Sequence, residues 1–307
     1  MDLLMFLFLM LGAALATGIR FEEVPCPYGD GQVRKFYKVS ANTLGGYDSD
    51  LAVYSTRGQF RTHAISTCPS NYFSAMGSDL KVPVPAEMGP AIDSAIAEAR
   101  SEWANPSNPE VWERYSTAAN IASAMKRAPL AVAELRLNAV WTARDAAVGV
   151  YVGGLEGPKA AREILNIGAL EFKKDLTPEA QKLLRYNLAR VAHRGGYNAE
   201  RDAHIAAYLQ LQGLTKDERS AGVTLRRLTQ TVEPELQRAA VRSLDAALTG
   251  GGTGEQFARA RHQRADTLRR LGQQPKAIAG FREVLADADA PPQLKEMAAF
   301  LLEEISQ

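Results

Sequence analysis

Cysteine is scarce in this sequence: Cys26 and Cys68 are the only two in 307 residues. A structural zinc site usually has four nitrogen or sulfur ligands, often from two C-x-x-C pairs. The second cysteine of each pair would fall at Gly29 and Asn71, which are poor zinc ligands. A disulfide between the two cysteines is therefore the favoured prediction, while zinc with His63 as a third donor and free thiols stay open.

The chain also lacks an excess of either charge, with 36 basic and 35 acidic side chains. This balance gives no support for bulk attraction to nucleic acid or to an anionic membrane. Long apolar runs are missing except at the start, where residues 3–11 precede an A-x-A cleavage pattern at residues 14–16. We predict a signal peptide over residues 1–16 and a mature chain from Thr17, since the run is shorter than the ~20 residues that cross a bilayer. An uncleaved anchor is the alternative.

Catalytic motifs are missing as well. The sequence has no H-E-x-x-H, C-x-x-C or G-x-S-x-G pattern, and its glycine-rich stretches lack the Lys-Ser/Thr of a phosphate loop. The four histidines are scattered, and solvated or helix-capping roles are expected for them. Asp48 and Asp50 are expected to be turn formers. We predict a non-catalytic protein without a cofactor or a bound metal; an enzyme with a dispersed site is the alternative.

The order of local patterns predicts a mainly α fold with a small β module at its start. Strand patterns lie at residues 32–39, 49–56 and 58–67, where polar and apolar residues alternate, and they predict a small antiparallel sheet. From about residue 88 the chain is rich in Ala, Leu, Arg and Glu, and start and stop signals predict roughly eleven helices of 12–20 residues. The predicted domains are residues 17–85 and 86–307.

The helical part contains a pattern that resembles a tetratricopeptide repeat, a unit of ~34 residues with two packed helices. It is clearest at residues 257–292, where small and apolar residues mark the helix packing and Gly272 the turn. The packing positions are Ala265, Leu268, Ala277, Phe281 and Val284, and Pro291 ends the unit. A weaker copy covers residues 183–211, with Ala189, Ala192 and Gly196, and a last helix over 292–306 would cap the stack.

Five stretches are similar to a family of uncharacterised bacterial proteins: "CP" at 26–27, "YDSDL" at 47–51, "CPSNYFSAMGSDL" at 68–80, "LNAVWTARDAA" at 137–147 and "LRRLGQQPKAIAGFREVL" at 268–285. That family carries a C-P-x-C-G … C-P-x-C-G zinc-ribbon-like module followed by tetratricopeptide-type helices. This chain departs from it by lacking one cysteine of each pair. The resemblance therefore implies a degenerate ribbon, in which Cys26 and Cys68 face each other and form a disulfide in place of a metal site. It implies no activity.

One basic cluster stands out, in the first helix of the last repeat. Because tetratricopeptide arrays line a concave groove with first-helix side chains, the resemblance implies that five residues point into such a groove: Arg259, His262, Asp266, Arg269 and Arg270. Guanidinium groups suit carboxylates, so an acidic peptide or another protein is the predicted partner. A solvated helix face with local ion pairs is the alternative. The function predicted is that of an exported scaffold or adaptor in a cell-envelope assembly; a zinc module using Cys26, Cys68 and His63 is a further alternative.

Overall fold

The computed structural model describes residues 18–56, 58–148 and 155–306. The predicted signal peptide, residues 1–16, and the predicted first mature residue, Thr17, lie outside the described residues. Within the described ranges the predicted mainly α architecture is confirmed, with small β elements near the N-terminus followed by an array of helices.

The N-terminal module is built from short strands. β1 (Gly18–Pro25) and β2 (Gln32–Ser40) form an antiparallel ribbon, and β4 (Ile65–Thr67) and β5 (Ser74–Met76) form a second antiparallel pair. β3 (Gly46–Tyr47) pairs in parallel with β6 (Leu155–Glu156). A single helical turn, α1 (Arg61–Ala64), precedes β4.

The predicted strands are only partly correct. The strand at 32–39 is confirmed, whereas 49–56 contains only an isolated bridge from Val53 to Tyr47, and 58–67 starts as α1 before its last three residues enter β4. Residues 48–52 form a tight turn instead of a strand, because the Asp48 amide donates to the Ala52 carbonyl and the Leu51 amide to the Asp48 carbonyl. β1 was not predicted from the sequence.

Within the described residues, eleven helices of 12 to 20 residues follow Met88, which confirms the predicted number and length. They are α2 (Gly89–Ser101), α3 (Val111–Ala124), α4 (Pro129–Val148), α5 (Gly157–Glu171), α6 (Pro178–Gly195), α7 (Asn198–Gln210), α8 (Lys216–Arg227), α9 (Glu233–Leu248), α10 (Glu255–Arg270), α11 (Gln274–Ala286) and α12 (Pro292–Ser306). A π-helical turn, Leu228–Val232, joins α8 to α9 without a break.

Two glycines in the left-handed conformation end the first helix of each predicted repeat. Gly196 and Gly272 both have φ of 73°, a value that an L side chain disfavours. The following residues bond back to the ends of α6 and α10, from the Tyr197 amide to the Ala192 carbonyl and from the Gln273 amide to the Leu268 carbonyl. The chain therefore reverses at both glycines, and the helices pack as the antiparallel hairpins α6–α7 and α10–α11.

The last hairpin packs as the sequence predicted. Its five predicted packing positions lie in one buried cluster, together with residues of α12: Ala265, Leu268, Ala277, Phe281 and Val284. Gly280 lies so close to α10 that a Cβ atom there would sit 2.8 Å from the Ala265 Cβ. A larger residue at either position would push α10 and α11 apart.

The N-terminal module shares its core with the first helices of the array. Val24, Val33 and Phe73 lie in one buried cluster with Ile92 of α2 and Ile121 of α3. Burying these side chains together removes a continuous apolar surface from water, so the module and the array support each other.

The predicted disulfide is confirmed: Cys26 and Cys68 are bonded, with their Cα atoms 5.9 Å apart, and both are buried in this shared core. The two positions where the second cysteines would fall also meet, since a Cβ on Gly29 would lie 2.5 Å from the Asn71 Nδ2 atom. That amide donates to the Tyr28 carbonyl at 2.8 Å. A disulfide and a hydrogen bond thus join the two turns.

Candidate functional site

The predicted groove residues occupy a different environment from the one expected. His262, Asp266, Arg269 and Arg270 are buried, so the prediction that they line an open groove is wrong. Arg259 is exposed and pairs with Glu255 one turn earlier on α10, as the solvated-face alternative expects. The four buried side chains instead contact a segment of the same chain.

That segment is the acidic loop, defined here as Asp48, Ser49 and Asp50. The Ser49 hydroxyl donates to Asp266 Oδ2 at 2.9 Å and accepts from Arg269 Nη2 at 3.0 Å and from Arg270 Nη2 at 2.7 Å. His262 Nε2 lies 2.7 Å from the Ser49 carbonyl oxygen. The basic end of α10 therefore binds Ser49 of the N-terminal module, while the carboxylate partner of both Arg269 and Arg270 is Asp266 of the same helix.

Arg144 of α4 lies at the centre of this contact and is fully buried. Its Nη1 atom is 3.0 Å from Asp48 Oδ2 and 2.8 Å from Asp50 Oδ2, and its Nη2 atom is 2.8 Å from Glu233 Oε1. One guanidinium thus joins the acidic loop to α4 and α9. Asp50 also accepts a hydrogen bond from Trp141 Nε1 at 3.1 Å.

Arg194, near the end of α6, provides a second attachment. Its Nε atom lies 2.7 Å from Asp48 Oδ1, and its guanidinium stacks 3.8 Å from the centre of the Tyr54 ring. The Tyr54 hydroxyl donates to Asp48 Oδ2 at 2.7 Å. Both carboxylate oxygens of Asp48 are therefore satisfied.

The two arginines at the end of α10 also satisfy the end of α6. The last carbonyls of a helix have no partner within it and need an external donor. Arg269 donates to the carbonyls of Gly195 and Gly196 at 2.9 and 3.1 Å, and Arg270 to those of His193 and Arg194 at 3.0 and 2.7 Å. The ion contact thus also joins the hairpins α6–α7 and α10–α11.

We call this set the ion network; it contains four arginines and four carboxylates, all buried: Arg144, Arg194, Arg269, Arg270, Asp48, Asp50, Glu233 and Asp266. Its formal charge is therefore zero. Buried charges are tolerated when they are paired and hydrogen-bonded, and removing one partner leaves the other uncompensated. The network is thus a specific, charge-neutral link between the module and the array.

The arginines determine the charge state of the carboxylates. Burial opposes ionisation of Asp48, but Arg194 and Arg144 outweigh it and hold the pKa of that carboxyl below its usual range. Burial likewise opposes ionisation of Glu233 and Asp266, and the neighbouring arginines again hold each pKa well below the ordinary value. These groups are therefore carboxylates at neutral pH.

Two histidines lie beside the network, and the expectation that they are solvated or helix-capping is wrong. His193 and His262 are buried, and burial lowers the pKa of each imidazole. His193 Nε2 lies 2.7 Å from Glu233 Oε2. Asp48 and Asp50, expected only to form turns, carry buried ion pairs as well.

A polar cavity of about 320 Å³ opens next to the network, between α6, α7, the π-helical turn, α9 and the end of α10. Its floor is buried and includes His193, Glu233 and Gln237, whereas Gln230 at its rim is exposed. Other lining residues are Asn198, Arg201, Asp202, Thr229, Pro234 and Arg270. Across the residues that the structure describes, no group of three or more His, Cys, Asp or Glu side chains is placed to hold a metal ion.

No family model, curated protein or solved structure matches the chain. The family resemblance described above therefore stays a prediction from the sequence motifs. In residues 18–56, 58–148 and 155–306, no helix is both long and apolar enough to cross a membrane.

Sequence reasoning missed Arg144, Arg194 and Glu233. A signal was present for the first of them, because Arg144 interrupts the apolar stretch "AVWTARDAAV" of α4. An arginine on the buried face of a helix requires a carboxylate partner. The acids of "YDSDL" were candidates, but nothing in the sequence indicates that they lie beside α4.

Proposed function

We propose that the chain is an exported, non-catalytic scaffold, periplasmic or secreted, which binds another protein in an envelope assembly through its N-terminal module. The observation that supports this proposal is that the ion network and the shared core hold the module on the helical array while several of its apolar side chains stay exposed. The side chains predicted to line a groove are buried against Ser49, so they offer no surface to a partner, whereas the module does.

Exposed apolar side chains concentrate in the module. Among the residues that the structure describes, eleven large hydrophobic side chains are exposed, and seven lie before α2: Phe21, Tyr37, Val39, Leu44, Tyr47, Val53 and Val82. Phe21 and Val39 of the β1–β2 ribbon are 54% and 58% exposed. Tyr37 and Val39 lie on one face of the ribbon and Phe21 on the other, because Phe21 pairs with Phe36. Exposed apolar and aromatic side chains are typical of protein-binding sites.

The disulfide supports the proposed location. Disulfides persist outside the cytoplasm, where the environment is oxidising, and are rare in reducing compartments. The Cys26–Cys68 bond therefore fits an extracytoplasmic location. The signal-peptide pattern of residues 1–16 supports the narrower proposal of a periplasmic or secreted protein.

Glu233 and Asp202, the two acidic residues of the cavity, bear on the alternative that the protein is an enzyme. A general acid at neutral pH needs a carboxyl group whose pKa is raised toward 7. Arg144 and His193 overcome the effect of burial on Glu233, and Arg201 and Gln230 do the same for Asp202, so the pKa of each carboxyl is lowered. Both are therefore carboxylates at neutral pH, which gives no support to general-acid catalysis by either group.

A photo-activatable cross-linker tests the proposal at single positions. We expect that the cross-linker at Val39, introduced in the native cells, gives discrete adducts of higher mass, whereas the cross-linker at Val223 on α8, which is 44% exposed, gives none. Adding Tyr37→Ser should reduce the Val39 adducts, because Tyr37 is the exposed aromatic residue two positions from Val39 on the same face of β2.

The matched control adds Leu170→Ser, a substitution of an exposed apolar residue of α5, and should leave the Val39 adducts unchanged. Equal adducts at Val39 and Val223, or Val39 adducts that are undiminished by Tyr37→Ser, would show that this face of the ribbon does not bind a protein.

A further inference from the structure

The polar cavity is independent of the ribbon and has the size of a small-molecule site. Its volume of about 320 Å³ lies at the lower end of the ~300–1,000 Å³ of ligand pockets. The buried side chains of Arg201, Thr229 and Gln237 form part of its wall, and Asp202 and Gln230 stand at its more exposed side. A ligand of a few polar groups could enter past Gln230 and reach Gln237.

The π-helical turn gives the cavity its shape. Such turns insert one residue into a helix and occur frequently at functional sites. Here the turn Leu228–Val232 carries Thr229 and Gln230, and the helix α9 that follows carries Glu233 and Gln237 one turn apart. All four line the cavity. One continuous helical segment therefore supplies much of the lining.

The charges of the lining cancel, with two arginines and two acids. Arg201 Nε lies 2.7 Å from Asp202 Oδ1, and Glu233 is paired with Arg144. Arg270 uses its donors on Asp266, Ser49 and two carbonyls of α6. A net charge on a bound molecule would lack a partner, so the lining favours an uncharged ligand.

Several acceptor atoms in the cavity are unused. Gln230 Nε2 donates to Asp202 Oδ1 at 2.8 Å, and Gln237 Nε2 donates to Glu233 Oε1 at 2.9 Å. These bonds fix the orientation of both side-chain amides. Within the described part of the chain, no donor bonds the Oε1 atom of either glutamine or the Oδ2 atom of Asp202. The Gln237 acceptor is at the buried end of the cavity, and those of Gln230 and Asp202 are at its solvent-exposed side. All three can accept from the O–H or N–H groups of a ligand.

We propose that this cavity binds a small, uncharged polyhydroxylated molecule of the size of a monosaccharide. Its hydroxyl groups donate to Gln237, Gln230 and Asp202 and accept from the Arg201 guanidinium. Because each hydroxyl both donates and accepts, such a molecule can satisfy the mixed lining without adding charge.

Titrating the full mature chain with sugars tests this proposal, with binding measured by calorimetry or saturation-transfer NMR. The probes are D-glucose and N-acetylglucosamine, with glucuronate and protonated glucosamine as charged counterparts of similar size. We expect saturable binding of at least one neutral sugar and at least tenfold weaker binding of its charged counterpart. Gln230→Leu should weaken the neutral sugar at least tenfold, and Gln212→Leu, an exposed glutamine that does not line the cavity, should not change its affinity.

Thermal melting of both variants confirms that each is folded, which is expected because both side chains are exposed. Three results would overturn the proposal: neither neutral sugar binds, a charged sugar binds more tightly than its neutral counterpart, or Gln230→Leu leaves the affinity unchanged.

Discussion

Replacing Arg144 with methionine is expected to lower the free energy of unfolding by about 3–5 kcal/mol, the usual cost of removing one partner from a buried ion pair. The substitution keeps most of the side-chain volume but leaves Asp48, Asp50 and Glu233 without their shared cation. Three buried carboxylates would then lie close together, and their repulsion adds to the cost of burial. Urea denaturation followed by tryptophan fluorescence measures the change.

Arg259→Met is the matched control, because Arg259 is 52% exposed and pairs with Glu255 on the surface of α10. Its expected cost is under about 0.5 kcal/mol. A result in which both variants unfold at the same urea concentration would show that Arg144 does not hold the module on the array.

Acid should reduce the difference between the wild type and Arg144→Met. In the folded wild type, the pKa values of Glu233 and Asp48 are below their ordinary values. These carboxylates therefore stabilise the wild type at a pH above the ordinary value, and this stabilisation is lost as the pH falls through the lowered value. Protonation of these groups in the variant relieves the uncompensated charge. Burial without the arginine raises the pKa of these carboxyls in the variant, so we expect the effect of Arg144→Met to begin shrinking above about pH 4 and to shrink further as the pH falls.

Removal of the disulfide is the second large effect. The double substitution Cys26→Ser with Cys68→Ser should lower the free energy of unfolding by about 4 kcal/mol, the chain-entropy value for cysteines 42 residues apart. The hydroxyls would also enter the buried cluster shared with α2 and α3, where a polar group without a partner is costly. Denaturation of the whole chain, with and without reductant, measures the loss of the cross-link and the cost of the buried hydroxyls.

The reductant provides the internal control for this experiment. It should move the unfolding midpoint of the wild type toward that of the double variant and leave the variant unchanged. A wild type whose midpoint is the same with and without reductant would contradict a stabilising role for the Cys26–Cys68 bond.

Features with local causes could be predicted from the sequence. Gly196 and Gly272 end helices because their backbone conformation favours glycine, and Ala265 faces Gly280 because small residues allow two helices to approach closely. The pairing of Cys26 with Cys68 was constrained further, because the chain offers no other cysteine. Each of these features depends on residue types within one hairpin or on a single possible partner.

The ion network could not be predicted because its contacts are distant in the chain. Ser49 is 217 residues from Asp266, and Asp48 is 96 residues from Arg144 and 146 from Arg194. Hydrophobic patterning also places charged residues on the surface, which is correct for Arg259 and wrong for Arg269 and Arg270. Patterning also gave the wrong prediction of a strand at residues 49–56. The chain turns there so that Asp48 and Asp50 point inward, and that direction depends on arginines elsewhere in the sequence.

Hydrogen exchange of the full chain tests the central claim most directly, namely that the acidic loop fixes the N-terminal module on the helical array. The comparison is between the wild type and the Asp48→Asn, Asp50→Asn variant, with Asp79→Asn, an exposed acid of the same module, as control. We predict that protection falls together in β4 and β5 of the module and at the adjoining ends of α6 and α10, and that Asp79→Asn changes neither. Faster exchange confined to residues 46–54 would contradict the claim, because the module would then be held without its acidic loop.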